Sequence, residues 1–177
     1  MVADVTRAAD VIGRVRLLFR KGTPVQEPVD INEIIREMVM LLGNEAEQNS
    51  ISVRTHLATD LPTVMGDRVQ LQQVLMNLMI NGIDAMKNIE GARQLILNSG
   101  MDEDGRLVVS VQDSGPGLPV DHLDHIFTAF FTTKSYGTGM GLSISRSIIE
   151  SHGGHLRAIN NPSQGACFQF TLPKALT

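Results

Sequence analysis

Cysteine is nearly absent. Cys167 is the only one among 177 residues, so no internal disulfide can form and nothing calls for an oxidising compartment. Also missing are an apolar run long enough to span a bilayer and the basic-then-apolar opening of a secretion signal. The expected location is therefore the cytoplasm, either as a free protein or as the cytosolic part of a membrane-anchored parent. Positive charge is not in excess: 15 lysines and arginines face 19 aspartates and glutamates, a net charge of -4. That leaves no electrostatic footprint for nucleic acid, and any anion site has to be local. Two phosphate-binding signatures are lacking as well. No glycine is followed by lysine, which excludes a P-loop, and Leu142 stands where a dinucleotide fingerprint would need its third glycine. No repeat or low-complexity segment is present.

What the chain does have is a dense glycine stretch from Asp113 to Gly153. Glycines 115, 117, 137, 139 and 141 surround a Phe-Phe-Thr-Thr-Lys segment, a composition suited to sharp turns and close approach of backbone to a ligand. The last of them lead into an apolar-periodic helix (Leu142, Ile144, Ile148, Ile149), whose first-turn N–H groups and positive dipole end would face an anion such as phosphate.

The rest of the chain reads as elements around that stretch. Val5, Ala8, Ala9, Ile12, Val15, Leu18 and Phe19 fall at helical spacing over residues 2–20, and Lys21-Gly22-Thr23-Pro24 ends that helix. A short strand is expected at 25–29. Asp30 to Glu33 has capping-box spacing, and Ile31, Ile34, Ile35, Met38, Val39 and Leu42 mark the buried face of a helix to about Gln48. Residues 51–57 alternate like a strand. A helix over 67–87 carries Leu71, Val74, Leu75, Leu78, Gly82 and Ala85 as its core stripe. Strands follow at 93–100, 106–112, 154–160 and 166–172, with a helix at 141–152. The order implies an α+β fold, a two-layer sandwich of one mixed sheet of about five strands with three helices on one face, preceded by the N-terminal helix. It is not the strict alternation of a doubly wound fold.

Several polar residues stand where packing does not want them. Asn77, Asn81 and Asp84 share one face of the 67–87 helix, among leucines and methionines, and an amide oxygen there is a hard ligand suited to Mg²⁺. Solvation or local backbone bonding is the plain alternative for that face. Asp113 closes an apolar strand just before Ser-Gly-Pro-Gly, where a carboxylate either starts a turn or accepts from an exocyclic amine such as that of adenine. Lys134, between the glycine clusters, offers a point charge for polyphosphate, or is a solvated loop lysine. The histidine pairs 122/125 and 152/155 have metal-like spacing but no evident third ligand.

Taken together, these boxes resemble the ATP-binding domain of the two-component sensor histidine kinases, in the superfamily shared with gyrase, MutL and the large heat-shock chaperones. QVLMNLMINGIDAM resembles the N box, DSGPGL the first glycine box, IFTAFFTTK the F box, GTGMGLSI the second glycine box, and GACFQFTLP the closing strand. The resemblance covers roughly residues 25–173. FFTTK and SIIESHGG are most similar to the nitrogen-regulatory and oxygen-sensing class.

The resemblance implies ATP and Mg²⁺ as cofactors. It makes Asn81 the Mg²⁺ ligand and Asn77 a second polar contact to metal or phosphate, with Asp84 and Lys87 further along the same helix. It makes Asp113 the adenine reader, with Gly115, Gly117 and Leu118 beside the base. Thr132, Thr133, Lys134, Gly137, Thr138, Gly139, Met140, Gly141 and Leu142 then line the triphosphate, under a lid over about 128–140 that Gly137, Gly139 and Gly141 close. Asn77, Asn81 and Lys134 are the catalytic candidates. Hydrolysing members of the superfamily carry a glutamate where this chain has Asn77, and an amide cannot serve as a general base, so solvent hydrolysis should be slow. The γ-phosphoryl group would pass instead to a histidine on a dimerisation hairpin, and from there to a response regulator receiver domain. None of the five histidines has the context of that acceptor. Residues 1–22 resemble the end of the hairpin and could support weak homodimerisation; 23–177 would be the catalytic domain. Two other readings stay open: a nucleotide-gated interaction module without phosphotransfer, and a protein serine kinase of the same superfamily.

Overall fold

A computed structural model describes residues 25–123, 125–132 and 139–175. Among them the chain runs β1 (Glu27–Val29), α1 (Ile31–Gln48), β2 (Ile51–Leu57), β3 (Val64–Gly66), α2 (Arg68–Met86), β4 (Arg93–Met101), β5 (Leu107–Asp113), a 3₁₀ turn (Val120–His122), α3 (Gly141–Ser151), β6 (His155–Asn160) and β7 (Ala166–Leu172). The expected helix over residues 2–20, and with it the 1–22 segment, lies outside the described residues.

Local chemistry sets the helix starts. Asp30 accepts from the N–H groups of Asn32 and Glu33 at 2.8 and 3.3 Å, and Asp67 accepts from those of Val69 and Gln70 at 2.9 and 3.1 Å. Each carboxylate satisfies first-turn donors that have no partner within the helix. The Glu33 side chain does not close a reciprocal box. It joins Glu37 in holding Arg68 of α2, at 2.9 and 2.6 Å.

Five strands form a mixed sheet in the order β2-β4-β5-β7-β6, parallel between β2 and β4 and antiparallel elsewhere. Alternation decides which face is covered. Leu95 and Leu97 of β4, Leu107, Val109 and Val111 of β5, and Phe168, Phe170 and Leu172 of β7 are buried. They share one face with the apolar stripes of the helices, including Ile34, Ile35, Leu42, Leu75, Leu78 and Ile149. The opposite face carries the register row His56, Asn98, Ser110, Gln169 and Arg157, all polar. Fully burying one large aliphatic side chain stabilises by about 1.5–3 kcal/mol, so the one-sided pattern fixes both strand register and helix placement.

One element has no counterpart in the sequence pattern. Val64–Gly66 forms a strand that pairs antiparallel with β1 as a separate two-stranded sheet. At three residues it is too short to show periodicity, and its pairing partner lies far back in sequence.

Candidate functional site

Asp113 is the last residue of β5 and only 5% exposed, although it is ionisable. Its Oδ1 accepts from the N–H of Gly115 at 2.8 Å and of Ala166 at 3.3 Å. Burial pushes its pKa up, and those two N–H donors partly offset the rise. The carboxylate is thus oriented by backbone through one oxygen.

Its surroundings are built from glycines. A Cβ on Gly82 of α2 would stand 3.4 Å from Asp113 Cβ and 2.7 Å from Leu95 Cδ1, and one on Gly115 would meet Asp113 Oδ1 at 2.8 Å and Ala85 Cβ at 3.2 Å. The amide-bearing helix therefore lies directly against the aspartate, and Gly82 immediately follows Asn81. Gly117 adopts φ +81°, a conformation that costs an L side chain energy, and Leu118 beyond it packs partly on the core.

On the second side of the site, Asn77, Asn81 and Asp84 are half-buried along α2. Asn77 Nδ2 donates to Ser145 Oγ of α3 at 3.0 Å, and Ser145 is 1% exposed. A Cβ on Gly141 would collide with Asn77 Oδ1, so glycine there lets the start of α3 close on the amide. Lys87 is engaged within the fold. Its ammonium donates to Asp84 at 2.6 Å and lies 3.6 Å from Glu45 of α1, and the hydrogen bond to Asp84 leads in raising its pKa.

α3 begins at Met140 and Gly141 with no side-chain cap and no acidic residue in its first turn. Gly139, at φ +68°, packs on the Phe130 backbone, and its carbonyl accepts from the Phe130 N–H at 2.9 Å. Phe130 itself has φ +67° and is 75% exposed. Leu142 is half-buried against the core and Thr132 is exposed. Thr133, Lys134, Gly137 and Thr138 lie outside the described residues.

Two groups of residues escape sequence reasoning. His152 is 6% exposed and ties two helices: its Nδ1 donates to the Ile148 carbonyl at 2.7 Å, and its Nε2 accepts from the Asp67 N–H at 2.9 Å. Its ring is thereby used for structure. The turn between β6 and β7 is the other group. Asn160 bonds both the N–H and the carbonyl of Leu118, and Asn161 Nδ2 donates to the Asp113 carbonyl at 3.4 Å. The sequence Asn-Asn-Pro-Ser-Gln-Gly marks a turn there, but not what the turn touches.

An open depression of about 430 Å³ lies along α3, lined by Gln70, Ala129, Ser143, Ile144, Ser147, Ile148 and Ser151. None of the residues expected to hold nucleotide or metal borders it. Among the described residues no group of three or more His, Cys, Asp or Glu side chains is placed to hold a metal. No helix of the described residues is long and apolar enough to cross a membrane.

Comparison with known proteins shows the family and the fold. Residues 66–176 match the family described as histidine kinase-, DNA gyrase B-, and HSP90-like ATPase. Among curated relatives, the sensor histidine kinase TmoS of Ectopseudomonas mendocina is 38% identical over 98% of this chain and 18% of its own length. The chain thus spans less than a fifth of that relative, and 33% of the sensor protein FixL of Bradyrhizobium diazoefficiens, to which it is 40% identical over 96% of its own length. Among solved structures, the catalytic domain of histidine kinase ThkA superposes with a TM-score of 0.72 at 36% identity, covering 84% of this chain and 95% of that one. Full-length ShkA in complex with AMPPNP superposes with a TM-score of 0.75 at 30% identity, covering 95% of this chain and 35% of that one.

Proposed function

The chain belongs to the histidine kinase-, DNA gyrase B-, and HSP90-like ATPase family, among the ATP-binding catalytic domains of two-component sensor histidine kinases, and on that footing we propose that it binds Mg-ATP and transfers the γ-phosphoryl group to a histidine on a dimerisation hairpin of its parent protein. Asp113 reads the base. With Oδ1 held by Gly115 and Ala166, the other oxygen is left to accept from the adenine amine, and the absence of a Cβ at Gly82 and Gly115 keeps packing around it close. This buried, pre-oriented carboxylate beside the amide helix is the observation that carries the reading.

Asn81 would hold Mg²⁺, with Asn77 as a second oxygen toward metal or phosphate; when bound, the ion would neutralise charge on the triphosphate. Asn77 fits that role, since its Nδ2 donates to Ser145 and its oxygen lies beside Gly141. The uncapped first turn of α3 offers N–H groups and a positive dipole end to phosphate, and Lys134 would add a point charge. No carboxylate stands at position 77 to activate water, so the residues of this chain align ATP for an incoming nucleophile rather than hydrolyse it.

The acceptor hairpin would approach beside the start of α3, where Phe130 and Met140 are exposed apolar side chains. Residues 1–22 would continue that hairpin and 23–177 form the catalytic domain, acting in the cytoplasm upstream of a response regulator. ThkA, a structural neighbour, has been seen in complex with response regulator protein TrrA. The direct test mixes the chain with Mg-ATP labelled at the γ position and a separately made hairpin bearing the histidine. Acid-labile, base-stable label on the hairpin is the expected result. Nucleotide binding without label would reduce the chain to an interaction module, and acid-stable label would make it a serine kinase.

A further inference from the structure

Asn160 ends the edge strand β6, is exposed, and contributes nothing to the core. Yet its carboxamide closes a ring with one distant residue: Oδ1 accepts from the Leu118 N–H at 2.7 Å, and Nδ2 donates to the Leu118 carbonyl at 2.7 Å. A Cβ on Gly117 would stand 2.9 Å from that same Oδ1, so the side chain sits where only glycine leaves room. The turn that follows is packed on the back of the same site. Asn161 donates to the Asp113 carbonyl at 3.4 Å, a Cβ on Gly165 would collide with that carbonyl, and the Ala166 N–H donates to Asp113 Oδ1.

We infer that Asn160 is a positioning residue for the nucleotide base, fixing the height of the Gly115–Leu118 loop over the position beside Asp113. This rests on the nucleotide reading above. The physical content is preorganisation. A loop with Gly115, Pro116 and Gly117 in sequence has many conformations, and a bidentate amide that pins Leu118 removes most of them before the base arrives. The contacts lie on the base side alone, so their loss should weaken recognition of the adenosine moiety and leave the phosphate side untouched.

The test uses the full chain and calorimetry with ADP and with inorganic triphosphate, both with Mg²⁺. Asn160→Ala should weaken ADP about tenfold, as expected for two lost hydrogen bonds, and leave triphosphate within twofold of wild type. Asn160→Asp has the same shape and keeps the acceptor, but sets a negative oxygen against the Leu118 carbonyl. It should bind ADP as poorly as the alanine variant, whereas a packing role would be rescued by it. Amide hydrogen exchange supplies a readout independent of ligand: Leu118 should lose protection in Asn160→Ala while Phe170 in β7 keeps it. ADP affinity within twofold of wild type in both variants, or an equal loss for triphosphate, overturns the assignment. A wild-type chain that binds triphosphate but shows no preference for ADP would overturn the Asp113 reading instead, and the exchange result would still report whether the clamp exists.

Discussion

Among the described residues two α-helices start alike and the third does not, and the difference falls between the scaffold and the proposed site. α1 and α2 each bring an aspartate, Asp30 and Asp67, that accepts from its own first turn. α3 brings none, and its first turn is Gly-Leu-Ser with Met140 ahead of it. A carboxylate at that start would satisfy the same donors and repel a triphosphate. The helix that lacks its own anion is the one flanked by glycines and set against Asn77, as the proposed phosphate role for its first turn would require.

The largest expected effect comes from removing the proposed metal ligand. Asn81→Ala should erase the Mg²⁺ dependence of ATP affinity, about a hundredfold loss, with the fold intact by circular dichroism. Equal titration curves for variant and wild type would remove Asn81 from the site. Next is Asp113→Asn, which keeps an acceptor for Gly115 and Ala166 but replaces the free oxygen or its charge. Calorimetry should show ATP weakened by at least about tenfold and the preference over GTP lost.

The same variant has a pH signature. The folded pKa of Asp113 is raised, so its favourable contribution is fully present below the unfolded value of 3.8 and is lost as pH rises through the folded pKa. Urea unfolding at neutral pH should find Asp113→Asn at least as stable as wild type, with its relative advantage shrinking as the pH falls through the raised folded pKa and levelling off below about 4.

A smaller effect reverses the helix comparison itself. Met140→Asp gives α3 the cap its neighbours have. It should raise stability by about 0.5–1 kcal/mol and weaken ATP roughly tenfold, while adenosine binding holds. The smallest runs the other way. Asp67→Ala should cost about 1–2 kcal/mol, seen as a fall of about 2–8 °C in Tm, and leave ATP affinity within twofold.

Most of the architecture is legible because it is local. The stripe from Ile31 to Leu42, the alternation in residues 51–57 and the Asp67 cap each announce an element within a few residues, and the observed bounds follow them closely. β3 is not legible, because only β1 makes its three residues a strand. The site divides the same way. The residue types at 77, 81 and 113 stand out as polar groups among apolar ones. Ser145, Asn160 and His152 do not, since their partners lie 68, 42 and 85 residues away in sequence. Arg68 is a similar case, reaching Glu33 and Glu37 across two helices where the sequence offers only a capping pattern.

The middle of the five-stranded sheet is β5, held on one edge by β4 and on the other by β7, and Asp113 stands at its end. A small inhibitor of the proposed nucleotide site would therefore meet there a wall paired on both edges. Fragments carrying an amine edge and a flat ring, screened against that wall before any charged tail is added, should gain affinity without spending it on ordering the protein.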